Sequence, residues 1–361
     1  MDAAYATYFD SNFLARGLAL YRSLRRHEPA ARLVVLALDD GCAGTLRRLK
    51  ESGDAEWDGL DVLPLAELEA ADPELAAARA DRSPIEYYFT CTPTLCRYIL
   101  AMRGGGLDRL TYLDADLYFF ASPATVHDEA GDAPIAVIEH RYPPRLHHLA
   151  ERYGRFNVGW ITFRRDATAL ACLDDWRRRC LAWCRDEPGP EGFADQKYLD
   201  DWPARFAPTH VVAAPGANVA PWNVEGMTLS RDRTGRVLVG GAGEPLIFYH
   251  FHALRRRGVS DYETDFRGFG RLDRPLLDLV YRPYLDELAA VDGGLLSIGN
   301  VSEGRLVRFD GPLRGRGWIA RTKRQVLRLR SLAQGEWVVF RGSHPVGPGT
   351  QLSVWLSEWR A

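Results

Sequence analysis

The sequence predicts an α/β protein in which a mixed, mostly parallel sheet is flanked by helices and followed by a helical, basic C-terminal extension. Three observations carry this expectation. Short β-prone or wholly apolar segments alternate with segments whose apolar residues recur at helical spacing, the pattern of strand–helix crossovers. Leu33-Val34-Val35-Leu36-Ala37-Leu38 is apolar throughout and ends in Asp39-Asp40-Gly41, as expected of a strand buried on both faces. From about residue 255 the texture changes, opening with Arg255-Arg256-Arg257. The chain therefore divides into segments 1–255 and 256–361.

Taken in order, Tyr5 to Phe9 is β-prone, Asp10-Ser11-Asn12 is turn and cap chemistry, and Leu14 to Leu24 is helical by periodicity. A helix over Thr45 to Glu51 follows the apolar run. Next come a strand over 60–65, an Ala/Glu-rich helix over 65–80 and a helix from Thr94 to Met102 that stops at Gly104-Gly105-Gly106. These glycines precede the strand Arg109 to Leu113. A dinucleotide fingerprint requires the order strand, glycines, helix, so they read as a tight connection. Ile135 to Ile138 and Val158 to Phe163 are further strands. Helices are expected over 166–185 and Asp195 to Trp202, late strands at Val211-Val212 and Leu246 to Tyr249, and helices near 275–290.

Composition narrows the function classes. The chain has 361 residues, 46% of them hydrophobic and 26% charged, with a net charge of −2, which excludes a chain-wide basic footprint for nucleic acid. The 10 Trp, 15 Tyr and 15 Phe are too much aromatic surface to leave solvated. No apolar run reaches membrane-spanning length, and Met1 to Tyr5 lacks the basic and apolar regions of a leader, so a cytoplasmic location is expected. Of 46 basic residues only Lys50, Lys197 and Lys323 are lysines, which GC-rich coding accounts for. The six cysteines show no C-x-x-C pair. Cys180 and Cys184 share a helix face, but with no second pair of ligands the cysteines read as buried free thiols.

The most informative stretch is Tyr112-Leu113-Asp114-Ala115-Asp116-Leu117-Tyr118. An apolar strand ends at Asp114, and Asp116 falls on the same side by the period of two. Two crowded carboxylates repel and raise each other's pKa, and a divalent cation between them relieves this; oxygen ligation suits Mg2+ or Mn2+. Binding crevices in open α/β sheets lie at the carboxyl ends of strands. Acidic turn residues are common, so Asp-x-Asp alone is weak. A dehalogenase-type phosphatase also uses it, but near the N-terminus and with Thr or Val where this chain has Tyr118.

Other motifs stand around it, in order through about 250 residues: Thr7 to Phe13, Leu95-Cys96-Arg97-Tyr98, Phe156-Asn157-Val158-Gly159-Trp160, Asp195-Gln196, Pro221-Trp222-Asn223 and His250-Phe251-His252. With this ordered set the chain resembles the retaining glycosyltransferases of family 8, which have the GT-A-type, Rossmann-like fold. Tyr8, Asp10 and Asn12 in Thr7 to Phe13 look like the opening strand and turn that receive the nucleotide base. Arg97 in Leu95-Cys96-Arg97-Tyr98 is similar to the arginine facing the donor diphosphate and sugar. Asp114 and Asp116 match the metal-binding Tyr-Leu-Asp-x-Asp. Asn157 in Phe156-Asn157-Val158-Gly159-Trp160 matches a contact to the donor sugar, and Asp195-Gln196 a pair beside the transferred sugar. Pro221-Trp222-Asn223 resembles the Trp-Asn before the last strand, and His250-Phe251-His252 the His-Phe whose His completes the metal site.

The resemblance implies a metal-dependent enzyme, with Mn2+ or Mg2+ held by Asp114, Asp116 and His250. The donor would be a nucleotide diphosphate sugar, by family habit UDP-hexose, and the acceptor a carbohydrate or glycolipid of a bacterial envelope. Segment 1–255 would bind the donor and carry catalysis through Asp195, Gln196, Asn157 and Arg97. Tyr8, Asp10, Asn12, Arg97, Asp114 and Arg256 would bind the nucleotide, and Trp222, Asn223 and His252 the sugar or acceptor. There are departures: Ala253 replaces a Gly, Arg256 stands for the phosphate-binding Lys, and the Pro-Trp after it is missing. Other readings stay open. Asn157 could cap a strand turn, Asp195 could N-cap its helix, Trp222 could be a core aromatic, and either His250 or His252 could be the ligand. His147-His148 reads as a loop near the acceptor cleft. A pyrophosphorylase-like transferase is disfavoured, since no Gly-rich phosphate loop follows the first strand. A non-catalytic scaffold is opposed by the full set of motifs.

Arg314 to Arg330 holds seven basic residues and no acid, interleaved with Trp318, Ile319, Val326, Leu327 and Leu329. This is either a solvated helix face packed by its apolar side or a peripheral contact with the inner face of an anionic membrane.

Overall fold

The computed structural model describes residues 3–103, 106–189, 192–258, 260–297 and 318–360. Its centre is a seven-stranded sheet ordered β3-β2-β1-β4-β7-β6-β8. The strands are β1 (Ala3–Phe9), β2 (Leu33–Ala37), β3 (Leu60–Pro64), β4 (Arg109–Leu113), β6 (Ile135–Glu139), β7 (Phe156–Arg164) and β8 (Thr209–Val212); a short β5 (Leu117–Phe119) lies outside it. The helices around it are α1 (Leu14–His27), α2 (Asp40–Glu51), α3 (Leu65–Ala71), α4 (Pro73–Ala78), α5 (Pro84–Arg97), α6 (Ala124–Ala130), α7 (His148–Tyr153) and α8 (Ala167–Ala182). All neighbouring pairs are parallel except those of β7, which runs against both β4 and β6. The expected mixed, mostly parallel sheet is thus present.

Why the sheet sits at the centre is visible along β1 and β2. Tyr5, Phe9, Leu33, Val35 and Ala37 enter one hydrophobic cluster, while Ala4, Ala6, Val34 and Leu36 enter the other. With both faces covered, a continuous apolar run is the stable strand sequence. All six cysteines are free and buried.

Local chemistry moves several boundaries. Helix α2 begins at Asp40 because Asp39 accepts from the Cys42 amide at 2.8 Å as its N-cap. The 65–80 helix is two, since Asp72 caps a new start with Pro73 in its first turn. Helix α5 starts at Pro84, ten residues before the expected Thr94, on a Ser83/Glu86 capping box. Pro93 lies inside it, and the chain continues as a π-helical turn over Tyr98–Arg103. The expected 195–202 helix is a turn, a 3-10 segment Lys197–Asp201 and a short helix Trp202–Arg205. The late strand is Phe248–His250, not 246–249, and pairs antiparallel with β5.

Beyond residue 255 the helical expectation is incomplete. The helix Arg282–Ser297 is present, but so is a four-stranded antiparallel sheet formed by Arg255–Arg256, Asp261–Asp265, Trp337–Arg341 and His344–Pro345. Tyr262, Tyr284, Val338 and Phe340 share a hydrophobic cluster with Tyr5 and Phe9 of β1. Arg314 and Arg316 lie outside the described residues, as do the side chains of Trp318, Ile319, Arg321, Lys323 and Arg324. Among the described residues no helix is long and apolar enough to cross a membrane.

Candidate functional site

Four strand ends meet at one edge of the sheet. The C-terminal ends of β1, β4 and β6 lie there, and the reversed β7 delivers its N-terminal residues to the same edge. The chain leaves β4 at Asp114, whose amide bonds the Gly159 carbonyl of β7 at 3.1 Å. Asp116 follows two residues on, and its carbonyl accepts from the Phe251 amide at 2.9 Å. Pairing of His250 with Leu117 then fixes the imidazole beside both carboxylates.

Asp114, Asp116 and His250 each present a ligand atom within 4.8 Å of the others. Nε2 of His250 lies 3.0 Å from Asp116 Oδ1 and 3.7 Å from Asp114 Oδ2. Burial, opposed by His250 and reinforced by the neighbouring Asp116, raises the Asp114 carboxyl. Burial acts the same way on Asp116, but the His250 ring outweighs it through charge and hydrogen bonding and brings that carboxyl below its usual range. His250 is raised, the two carboxylates outweighing the desolvation of the ring. Two carboxylates and one imidazole are a donor set suited to a divalent cation, and the unrelieved acid pair is the electrostatic demand a cation satisfies. Among the described residues this is the group of three or more His, Cys, Asp or Glu that fits a metal. His252 is excluded from it: its ring is 6.3 Å from that of His250, edge-on to Trp222 and open to solvent.

Asp195 is only 3% exposed, and its Oδ2 has no hydrogen-bond partner among the described residues. Burial pushes this carboxyl up to about 7, with the Thr92 hydroxyl opposing and the Asp114 charge adding. It caps no helix. Tyr8 and Tyr112 stand between these acids, their rings 5.9 Å apart, and the Tyr112 hydroxyl donates to Asp114 at 3.0 Å. Asp10 accepts from the amides of Asn12 and Phe13 at 2.9 and 3.2 Å and from the Asn12 side chain at 2.8 Å. The two residues therefore build the turn after β1 and meet each other there.

Other expected residues are placed differently. Arg97 pairs with Asp174 of α8. Arg256 is buried against Asp292, with contacts of 2.6 and 3.2 Å, and also donates to the Gly258 carbonyl. Asn223 closes a loop: it accepts from the Ala220 amide and donates to the carbonyls of His140 and Asn218. Trp222 is buried with its rings near His140, His250 and His252, and its Nε1 is without a partner. Asn157 lies within β7, accepts from the Gly159 amide at 3.1 Å, and also faces His250 and Gln196. His147 and His148 are exposed.

Sequence reasoning missed three contributors. His140 follows β6 as Asp114 follows β4, a position that could have flagged it; burial lowers its ring to about 3, so it is neutral. Arg16 of α1 donates to the Leu254 carbonyl and helps lower Asp116. Gly159 has no room for a side chain, since a Cβ would meet Asn157 Oδ1 at 2.6 Å and the His250 ring at 3.0 Å. Four non-glycine residues with positive φ also flank the site: Arg141 (53°), Ala194 (48°), Asn218 (53°) and Ala253 (65°). The last explains why a Gly is usual there in the family the chain resembles.

With the site described, similarity adds context. No family model matches the chain. Two proteins of Bacillus subtilis (strain 168), both called uncharacterized, YfnD and YfnF, are each 29% identical to it. The match to YfnD covers 78% of this chain and 87% of the relative, that to YfnF 80% and 93%. Among solved structures the chain is similar to the galactosyltransferase LgtC in complex with donor and acceptor sugar analogues, at 17% identity and a TM-score of 0.45, over 85% of this chain and all 100% of the other. It is also similar to mouse xyloside xylosyltransferase 1, at 13% identity and a TM-score of 0.45, over 70% and 98%. Likenesses of that size leave the chemistry to the site's own residues.

Proposed function

We propose that the chain is a metal-dependent, retaining glycosyltransferase that moves a hexose from a nucleotide diphosphate sugar, UDP-hexose by preference, to a carbohydrate or glycolipid acceptor of the bacterial envelope. Residues 1–255 hold the donor and the catalytic groups, and 256–361 form the acceptor- or membrane-facing extension. The observation that carries this reading is the convergence of Asp114, Asp116 and His250 beside the buried carboxyl of Asp195, whose Oδ2 has no partner among the described residues.

Mn2+ or Mg2+ held by Asp114, Asp116 and His250 would supply a Lewis acid for the departing diphosphate. The chain's own groups do the rest. Tyr112 holds Asp114 in place, and Tyr8, with the Asp10–Asn12 turn, offers a ring and a fixed backbone to the nucleotide. Asp195 has a free oxygen in a dry setting, where a sugar hydroxyl or developing positive charge at the anomeric centre meets little screening. Trp222 and His252 line the acceptor side. Arg16 contributes fixed positive charge near Asp116.

The test is a screen of nucleotide sugars for Mn2+-dependent thermal stabilisation and hydrolysis, with Asp116→Ala alongside. Stabilisation by a UDP-sugar that disappears in the variant is expected. Indifference to every nucleotide sugar, with the variant unchanged, would leave the scaffold reading standing instead.

A further inference from the structure

We infer that Asn157 and Gln196 are positioning residues that fix the tautomer and ring orientation of His250 for metal binding, through a hydrogen-bond chain polarised by the backbone at both ends. The inference rests on the metal-site reading above. It gives the two amides a role other than touching the sugar.

A histidine binds a cation through a nitrogen that bears a lone pair, so its other nitrogen must carry the proton, and the partner of that second nitrogen decides which is which. His250 turns Nε2 to the carboxylates and Nδ1 to Asn157 Oδ1, at 3.3 Å. Nothing about an isolated Asn says which end is oxygen. Here the Gly159 N–H, 3.1 Å away, can only donate, so the end it meets is the oxygen. The amide nitrogen then faces Gln196 Oε1 at 3.1 Å. That atom is in turn identified as oxygen by the Val158 N–H, at 3.4 Å. Gln196 Nε2 donates to the Tyr153 carbonyl at 2.8 Å, and a carbonyl can only accept.

The run from the Gly159 amide to the Tyr153 carbonyl thus has one sense, and in that sense Asn157 offers His250 an acceptor. His250 Nδ1 must then be the donor, which makes Nε2 the nitrogen turned to Asp114 and Asp116, donating to Asp116 Oδ1 until a cation takes that place. His140 completes the arrangement. Its Nδ1 faces the Arg155 carbonyl at 3.2 Å, which leaves Nε2 free to accept from the remaining Asn157 amide hydrogen at 3.5 Å. Gly159 is required for the approach, since any side chain there would strike both the amide oxygen and the ring.

The experiment has two arms on the full chain. In the metal-free protein, long-range 1H–15N correlation of the histidine rings, with His250→Gln for assignment, is expected to show a proton on Nδ1 of His250. A ring without a proton on Nδ1 overturns the inference whatever the metal does. In the second arm Mn2+ is titrated and followed by EPR. Asn157→Leu and Gln196→Leu are expected to weaken Mn2+ binding by about 10–100-fold. Asn157→Asp, which keeps the oxygen that Gly159 and His250 donate to, is expected to restore most of it, with thermal unfolding confirming that each variant folds. Wild-type binding that Asn157→Leu leaves unchanged overturns the positioning role alone. A wild type that behaves like Asp116→Ala, binding no Mn2+, overturns the metal reading, and the tautomer arm then still decides the polarity of the chain.

Discussion

Two charged regions of the molecule are buried in opposite ways. In the C-terminal sheet, Glu263 receives Arg257 at 2.7 Å, Arg328 at 2.5 Å and the Trp337 indole at 3.1 Å, and Arg256 closes on Asp292. At the edge of the central sheet, Asp114 and Asp116 share one histidine between them, and Asp195 keeps an oxygen with no partner. A buried charge whose donors are all supplied holds the fold together. A buried charge left short of partners costs stability and persists because something else completes it. The buried arginines of the extension, Arg256 and Arg328, are both used internally.

The largest expected effect lies on the incomplete side. Asp116→Ala should lower Mn2+-dependent turnover of the sugar nucleotide by about 10²–10³-fold, the loss of several kcal/mol of charge stabilisation, measured as initial rates at saturating metal. On the complete side, Asp292→Asn should cost about 3–5 kcal/mol of stability, because Arg256 is left buried without its counter-charge. Urea unfolding reads this, and the pair Arg256→Met with Asp292→Leu should recover most of it. A loss of nucleotide affinity without loss of stability would return Arg256 to the donor site.

The next prediction concerns pH. The Asp195 carboxyl stands near 7 when folded, against an ordinary carboxylate value when unfolded. Between those limits the folded protein binds more protons than the unfolded chain, so stability falls as pH rises from about 4 to about 7. Asp195→Asn should flatten that fall by a few kcal/mol in the metal-free protein, as followed by thermal unfolding across that range. An unchanged slope would mean that the carboxyl is not desolvated as described.

The smallest effect separates the two readings of the basic helix Trp318–Gln334. Val326 is 56% and Leu329 is 39% exposed, with Arg330 also at the surface, while Arg328 is engaged with Glu263. Deleting the tail would remove the core strand Trp337–Arg341, so point changes are needed. Val326→Ser with Leu329→Ser and Arg330→Ser should weaken co-sedimentation with anionic vesicles about tenfold if the helix lies on a membrane. Equal binding would make it a solvated face.

The sheet was legible because strands buried on both faces are apolar throughout, and Asp114-x-Asp116 was legible because it breaks such a strand at its end. The reversal of β7 was not, since an antiparallel strand inside a covered sheet has the same composition as a parallel one. His140, Arg16 and the true partners of Arg97 and Arg256 were hidden for a related reason. Each is decided by what packs across from it, and spacing along the chain carries no information about that. Ala253 was visible as a departure, but its cause, a backbone at a φ of 65°, was not.

The pairing of His250 with Asn157 joins residues 93 positions apart, and the strand that carries His250 can form only after β5 is in place. No fragment that stops short of His250 therefore contains the site, and a chain still emerging from a ribosome lacks it until about seven-tenths of its length is out. Loop-closure entropy over such distances makes these among the slowest contacts to assemble. Cation binding would then report that folding is finished, and refolding followed by Mn2+ uptake should lag behind refolding followed by the tryptophans of the core.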